Sequence, residues 1–173
     1  MPQNEAVIRI RDAEDHDLPR VRDIYAHYVT HSTVTFDEEA PSLAEWQELL
    51  AHTRALGHPF LVADAGAGQT VGYARVMPWK PKGAYRFTVE NSIYVHDAAT
   101  GQGIGRALLT ELLDRAQASG IREVIAVIVD QGADASLALH RSQGFVEVGR
   151  MERVGHKFDR WLGTVLLQKS LGK

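Results

Sequence analysis

The chain has 173 residues, of which 45% are hydrophobic, carries a formal net charge of −3 with both signs interspersed, and contains no cysteine. This is enough apolar chain for one domain with a substantial core; no composition break marks a second domain, and residues 1–173 are read as one. Disulfides, cysteine–metal sites and a thiol nucleophile are excluded, nothing marks a nucleic-acid or membrane surface, and the lack of a leader pattern at Met1 to Ile10 or a long apolar run predicts a cytoplasmic protein.

In chain order, Val7 to Arg11 alternates as a strand, and the acidic Asp12 to Asp17 leads into a helix with apolar positions at Leu18, Val21, Ile24, Tyr25, Tyr28 and Val29. Pro19 sits in a first turn that tolerates it. His31 to Ala40 is a polar linker, and Ser42 with Glu45 forms a capping box for a second helix over Leu43 to Leu56. Phe60 to Asp64, Val71 to Met77 and Phe87 to Val95 read as three strands of a meander.

Ser92 to Leu109 (SIYVHDAATGQGIGRALL) then drops from a β-branched run through a glycine-rich turn into a helical pattern. Gly101, Gly103 and Gly105 permit a tight turn, and the N–H groups opening the next helix point outward with the positive end of its dipole. A P-loop would end in Gly-Lys-Ser/Thr and a dinucleotide fingerprint would run G-x-G-x-x-G, whereas this loop is G-x-G-x-G. From its residues alone, the loop is either a diphosphate cradle or a tight strand-to-helix junction.

Ile104, Leu108, Leu109, Leu112, Leu113 and Ala116 stripe the following helix, which stops at Gly120. Val124 to Val129 is an unbroken apolar run, a strand buried on both faces. A helix over Asp134 to Ser142, closed by Gly144, precedes strands at Phe145 to Met151 and Trp161 to Gln168. The order β, α, α, β, β, β, α, β, α, β, β predicts an α/β (α+β) fold with a mixed, mostly antiparallel sheet and helices on both faces. The eight histidines lack the spacing of a zinc site, so no metal is expected.

The G-x-G-x-G spacing resembles the acyl-coenzyme A loop of the GNAT acyltransferase superfamily, whose element order is the one just read. Outside the loop, Ser32 to Phe36 (STVTF), Tyr85 to Val95 (YRFTVENSIYV) and Val154 to Leu162 (VGHKFDRWL) resemble the phosphinothricin and methionine sulfoximine N-acetyltransferases at matching places along nearly the whole chain. This resemblance implies the GNAT fold, acetyl-CoA as co-substrate, a homodimer, and direct acetyl transfer in a ternary complex to the amino group of a small amino acid or analogue. A peptide N-acetyltransferase and a non-catalytic acyl-CoA sensor are the alternative readings.

Residue by residue, the resemblance implies that Glu90, in a T-V-E motif, removes a proton from the amine, a group mostly protonated at neutral pH given a pKa of about 7.7–8.0. Periodicity alone reads Glu90 as an outward, solvated carboxylate. The resemblance places the pantetheine arm along Ile93, Tyr94 and Val95, with the Val95 N–H facing the developing oxyanion, and the pyrophosphate on Gly101, Gln102, Gly103, Ile104, Gly105 and Arg106. His140, in LALHRSQGF, either assists the reaction or is a helix residue satisfied by a backbone carbonyl.

Trp79, Lys80, Lys82, Tyr85 and Arg86 gather cations and aromatics before the Glu90 strand, either as a substrate-carboxylate site or as a solvent-exposed hairpin tip. The family implies substrate contacts at Lys80, Pro81 and Lys82 and again at Glu90, Asn91 and Ser92, with Arg86 in the cation cluster and Phe36 walling the pocket. Departures from the family pattern are Thr100, where Arg or Gln is usual; Ala133, where Asn is common; Lys80, where many relatives have Arg; and Gly163, where Asp is expected. The first and third-named coenzyme contacts, at Thr100 and Ala133, would each be worth on the order of 1 kcal/mol, so weaker acetyl-CoA binding is expected.

Overall fold

The computed structural model describes residues 7–172, so the leader reading at Met1 to Ile10 lies, for residues 1–6, outside the described residues. The predicted element order is the observed one: β1 (Arg9–Asp12), α1 (Leu18–His31), α2 (Leu43–Ala55), β2 (Phe60–Asp64), β3 (Thr70–Pro78), β4 (Thr88–Val95), α3 (Ile104–Ala118), β5 (Glu123–Val129), α4 (Asp134–Ser142), β6 (Val146–Lys157) and β7 (Arg160–Ser170). The strands form one sheet in the order β1-β2-β3-β4-β5-β7-β6. Its pairs are antiparallel except β4 with β5, which run parallel.

Each helix forms where its apolar stripe and end signals agree. The Ser42–Glu45 capping box closes on both sides, with Glu45 N–H to Ser42 Oγ at 3.2 Å and Ser42 N–H to Glu45 Oε2 at 2.7 Å. The stripe of α3, Ile104 to Ala116, buries against one sheet face with Ala74, Val76, Val89, Val124 and Val165. Leu18, Val21 and Ile24 of α1 and Trp46 and Leu50 of α2 bury against the other face with Phe60, Val62 and Tyr73. A strand between these layers exposes neither side, which is why β5 reads as an unbroken apolar run.

Three boundaries differ from the sequence reading. The first strand begins at Arg9, Val7 being exposed, and is pinned by Arg11, which clasps the buried Asp17 at 2.7 and 2.8 Å and reaches Asp64 at 3.1 Å. Phe87 precedes β4, its carbonyl accepting N–H groups from Arg122 and Glu123. The last two strands continue through VGHKFDRWL to a two-residue turn at Phe158 and Asp159, both at positive φ, a hairpin geometry that the sequence does not advertise with Gly or Asn. Glu152 to Val154 bulge out between the pairs Met151–Thr164 and Gly155–Leu162, so these residues read as loop.

Candidate active site

The central strands β4 and β5 run together over only three residue pairs, Thr88 with Glu123, Val89 with Val124 and Glu90 with Ile125. Beyond them β4 stays with β3 and β5 with β7, and the two part. Bonds from Trp79 N–H to the Thr88 carbonyl and from His96 N–H to the Val71 carbonyl show that even-numbered β4 residues turn their backbone groups to β3. Asn91, Ile93 and Val95 therefore turn theirs into the gap. The Tyr28 hydroxyl donates to the Val95 carbonyl at 2.5 Å, which leaves the Val95 N–H facing the gap. An extended, amide-bearing ligand arm fits there as an added strand.

The gap leads to the glycine turn. Gly101 (φ 76°) and Gly103 (φ 77°) both take the left-handed conformation, and Gly103 is the residue from which α3 starts. No side chain caps this 15-residue helix and no acidic residue occupies its first turn, so its leading N–H groups are open to an anion. Gly105 has another role: a Cβ there would touch Leu139 of α4 at 3.4 Å, so it sets how closely the two helices approach. Gln102 and Arg106 are exposed beside the turn, and Ile104 anchors it in the core.

Side chains alternate across β4. Val89 and Ile93 pack toward α3, while Tyr94, and by the same parity Glu90 and Ser92, face α1 and α2. Glu90 is half-buried, and burial raises its carboxyl above the ordinary range, opposed by the positive charges of Arg75 and Lys80. The solvated-carboxylate alternative is therefore not what the fold builds. Burial likewise pushes the Tyr94 phenol up to about 12, so it stays neutral. Phe36 and Thr35 wall this side: the Phe36 ring lies flat on Gly155, where any Cβ would overlap it, and Tyr25 links Thr35 Oγ1 at 2.6 Å to Asp37 at 2.5 Å. The buried Lys157 ammonium fixes the same loop, donating to the Ser32 and Thr35 carbonyls, both at 2.9 Å.

Asn91 does not join Glu90. Its side chain lies on the opposite face and donates to His140 Nε2 at 2.9 Å, while His140 Nδ1 donates to the Ser136 carbonyl at 2.8 Å. His140 is 2% exposed, packs edge-on to Phe145 at 5.0 Å, and is held neutral, burial lowering its pKa. With both nitrogens engaged, it bridges α4 to β4 across the mouth of the gap. Nor does the cation cluster enclose a site by itself: Lys80, Pro81, Lys82 and Arg86 are exposed, Lys80 lies over the Trp79 ring at 4.8 Å, and Arg86 stacks on Phe87 at 4.4 Å. Lys80 alone of these bears electrostatically on Glu90.

Each departure has a local setting. Thr100 Oγ1 donates to the Asp97 carbonyl at 2.9 Å, closing the turn before the glycines. Ala133 starts α4 without a side-chain cap. Gly163 has no room for a larger residue, since a Cβ would lie 2.5 Å from both the Asp130 carboxylate and the Met151 carbonyl; Asp130 itself accepts the Gly163 N–H at 3.0 Å. The sequence reading missed Arg75, which sits opposite Ser92 on the Glu90 face. Its signal was an arginine inside the otherwise apolar Val71 to Met77 run of a central strand.

The largest surface hollow, about 310 Å³, lies elsewhere, bordered by Thr110, Gln117, Gln143 and Lys169. It is open and lacks any group with chemistry like that of Glu90. Among the described residues no group of three His, Asp or Glu side chains gathers as metal ligands do, and no helix is long and apolar enough to cross a membrane.

Residues 18–145 match the Acetyltransferase (GNAT) family. The chain is 43% identical over 162 residues to the phosphinothricin N-acetyltransferase of Alcaligenes faecalis, covering 94% of this chain and 82% of that protein. It is 41% identical over 162 residues to the L-methionine sulfoximine/L-methionine sulfone acetyltransferase of Pseudomonas aeruginosa, covering 94% of each. A GNAT superfamily phosphinothricin acetyltransferase from Sinorhizobium meliloti, solved in complex with AcCoA, superposes with a TM-score of 0.90 at 42% identity, covering 95% of this chain and 89% of that one.

Proposed function

The chain belongs to the GNAT acetyltransferase family, an N-acetyltransferase that uses acetyl-CoA, and from that premise we propose that it acetylates the amino group of a small amino acid or analogue of the phosphinothricin and methionine sulfoximine type. The observation that carries this reading is the parting of β4 from β5 with a half-buried carboxylate, Glu90, at its apex.

Acetyl-CoA supplies the activated acetyl group as a thioester. Ile93, Tyr94 and Val95 hold the pantetheine arm along the gap, and Gly101 to Arg106 hold the pyrophosphate on the uncapped start of α3. Glu90 takes one proton from the substrate ammonium, its raised pKa suiting it to the task. The neutral amine then attacks the acetyl carbon directly, and the Val95 N–H meets the charge that develops on the oxygen. As the C–N bond forms and the C–S bond breaks, the second amine proton leaves and the thiol is released. His140 and Asn91 position β4 and exchange no proton with the reactants.

Phe36 closes the acceptor side, and Lys80, Pro81, Lys82 and Arg86 border its entrance. That closure favours a small amine over a peptide laid in a groove. The reading places the enzyme in the cytoplasm as a homodimer, supported by the edge strand β6 and its hairpin, where Val146, Val148, Met151, Val154, Phe158 and Trp161 expose an apolar surface.

The test is thiol release from acetyl-CoA, followed with a thiol reagent, across phosphinothricin, methionine sulfoximine, methionine sulfone, common amino acids, polyamines and short peptides. A chain without cysteine gives no background. Turnover confined to the amino-acid analogues is expected; turnover confined to peptides, or none despite acetyl-CoA binding, contradicts the reading.

A further inference from the structure

Arg75 is a buried cation that the fold leaves without a partner. Its Nε is buried with no acceptor, and among the described residues its guanidinium makes no hydrogen bond and no ion pair. Trp46 lies beneath it, the guanidinium carbon 5.9 Å from the ring centroid, and Tyr73 and Tyr94 stack on one another at 5.7 Å beside it. These rigid rings give the side chain little freedom to retreat to solvent. A guanidinium does not escape such a place by losing its proton, and it presents a planar fork of donors matched to two oxygens of one anion.

The position selects the anion. Arg75 faces Ser92 across the β3–β4 pair, and Ser92 is the next residue after Glu90 on the same face. Same-face neighbours on a strand stand about 6.5–7 Å apart, a separation that an α-amino group and its own carboxylate bridge once each meets the tip of a side chain. Exposed Lys80, Lys82 and Arg86 lie in water, where a carboxylate gains little from them.

We propose that Arg75 receives the α-carboxylate of the substrate, so that the acceptors are α-amino acids and not amines at large. The proposal rests on the Glu90 pocket being the acceptor site.

The decisive comparison is kcat/KM for L-methionine sulfone against 3-(methylsulfonyl)propylamine, the same molecule without its carboxylate. The wild type is expected to prefer the amino acid by about 100-fold, because the amine leaves a buried fork unpaired. Arg75→Met is expected to bring the ratio within about 3-fold, while Arg22→Met, on the exposed face of α1, keeps it. Arg75→Met should also melt no lower than the wild type, since no protein acceptor is lost; a purely structural arginine would lower the melting point. An unchanged ratio in Arg75→Met overturns the proposal. Should that variant fail to fold, Arg75→Lys decides: a ratio reduced about 10-fold supports it and an unchanged ratio overturns it.

If neither amine is turned over, the acetyltransfer reading for small amines fails, and tryptophan fluorescence separates the two claims. Saturable quenching of the wild type by L-methionine sulfone, absent in Arg75→Met, still supports carboxylate capture. Equal quenching in both proteins, or none in either, overturns it.

Discussion

Two arginines lie on neighbouring strands of the same sheet and are treated in opposite ways. Arg11 on β1 is completed by the protein: two oxygens of Asp17 and one of Asp64 meet its guanidinium, and Asp17 is further bound by the Glu14 N–H at 2.9 Å and the Thr70 hydroxyl at 2.8 Å. Arg75 on β3 is given aromatic walls and no acceptor. The same contrast separates His140, with both nitrogens engaged, from Glu90, whose carboxylate makes no hydrogen bond among the described residues. A buried polar group that the chain satisfies belongs to the framework; one held in place and left unsatisfied is addressed to a ligand.

The contrast can be broken most forcefully at Glu90. Glu90→Gln keeps the shape but removes the base, so kcat should fall about 10²–10⁴-fold with acetyl-CoA affinity unchanged by calorimetry. On the framework side, Asp17→Asn should lower stability by about 3 kcal/mol in urea unfolding, because Arg11 loses its main partner, while kcat stays near that of the wild type. His140→Leu leaves the Asn91 amide unpaired and should destabilise by about 2 kcal/mol with kcat falling less than about tenfold; a larger loss in kcat would move His140 into the chemistry. The smallest effect is expected from Ala133→Asn, which supplies the missing cap of α4 and should stabilise by about 1 kcal/mol, with tighter acetyl-CoA binding.

Acid should dissolve the framework in two stages. Burial alone would raise the Asp17 carboxyl, but its hydrogen bonds from Arg11, Glu14 and Thr70 take it below the ordinary value. Its contribution is therefore fully present above the unfolded pKa of about 3.9 and is lost as pH falls toward the depressed folded value. His140 is lowered by burial, so below its unfolded pKa of about 6.5 the unfolded chain binds the proton first and stability begins to decline earlier. Urea midpoints measured from about pH 7 to pH 3 should fall in both windows, with His140→Leu removing the upper one.

Much of this was legible before the fold was known, and the limits have physical causes. The order of elements follows from periodicity, and the glycine turn follows from left-handed positions that Gly101 and Gly103 alone satisfy cheaply. Strand parity was only partly readable: Asn91 and Glu90 are sequence neighbours, yet β4 sends one to α4 and the other to the α1–α2 face. The cation cluster at Lys80 to Arg86 drew attention because its charges are contiguous, although exposure weakens them. Arg75 was hidden because its isolation becomes visible only when Trp46, Tyr73 and Tyr94 are folded around it from three separate segments.

The most direct test of Glu90 as the proton acceptor is the pH dependence of kcat for the best amine, compared between the wild type and Glu90→Gln. Burial raises this carboxyl, so the base is lost as pH falls through a value above the ordinary carboxylate range. The wild type should show that acid limb and the variant should lack it; the same limb in both proteins would contradict the assignment.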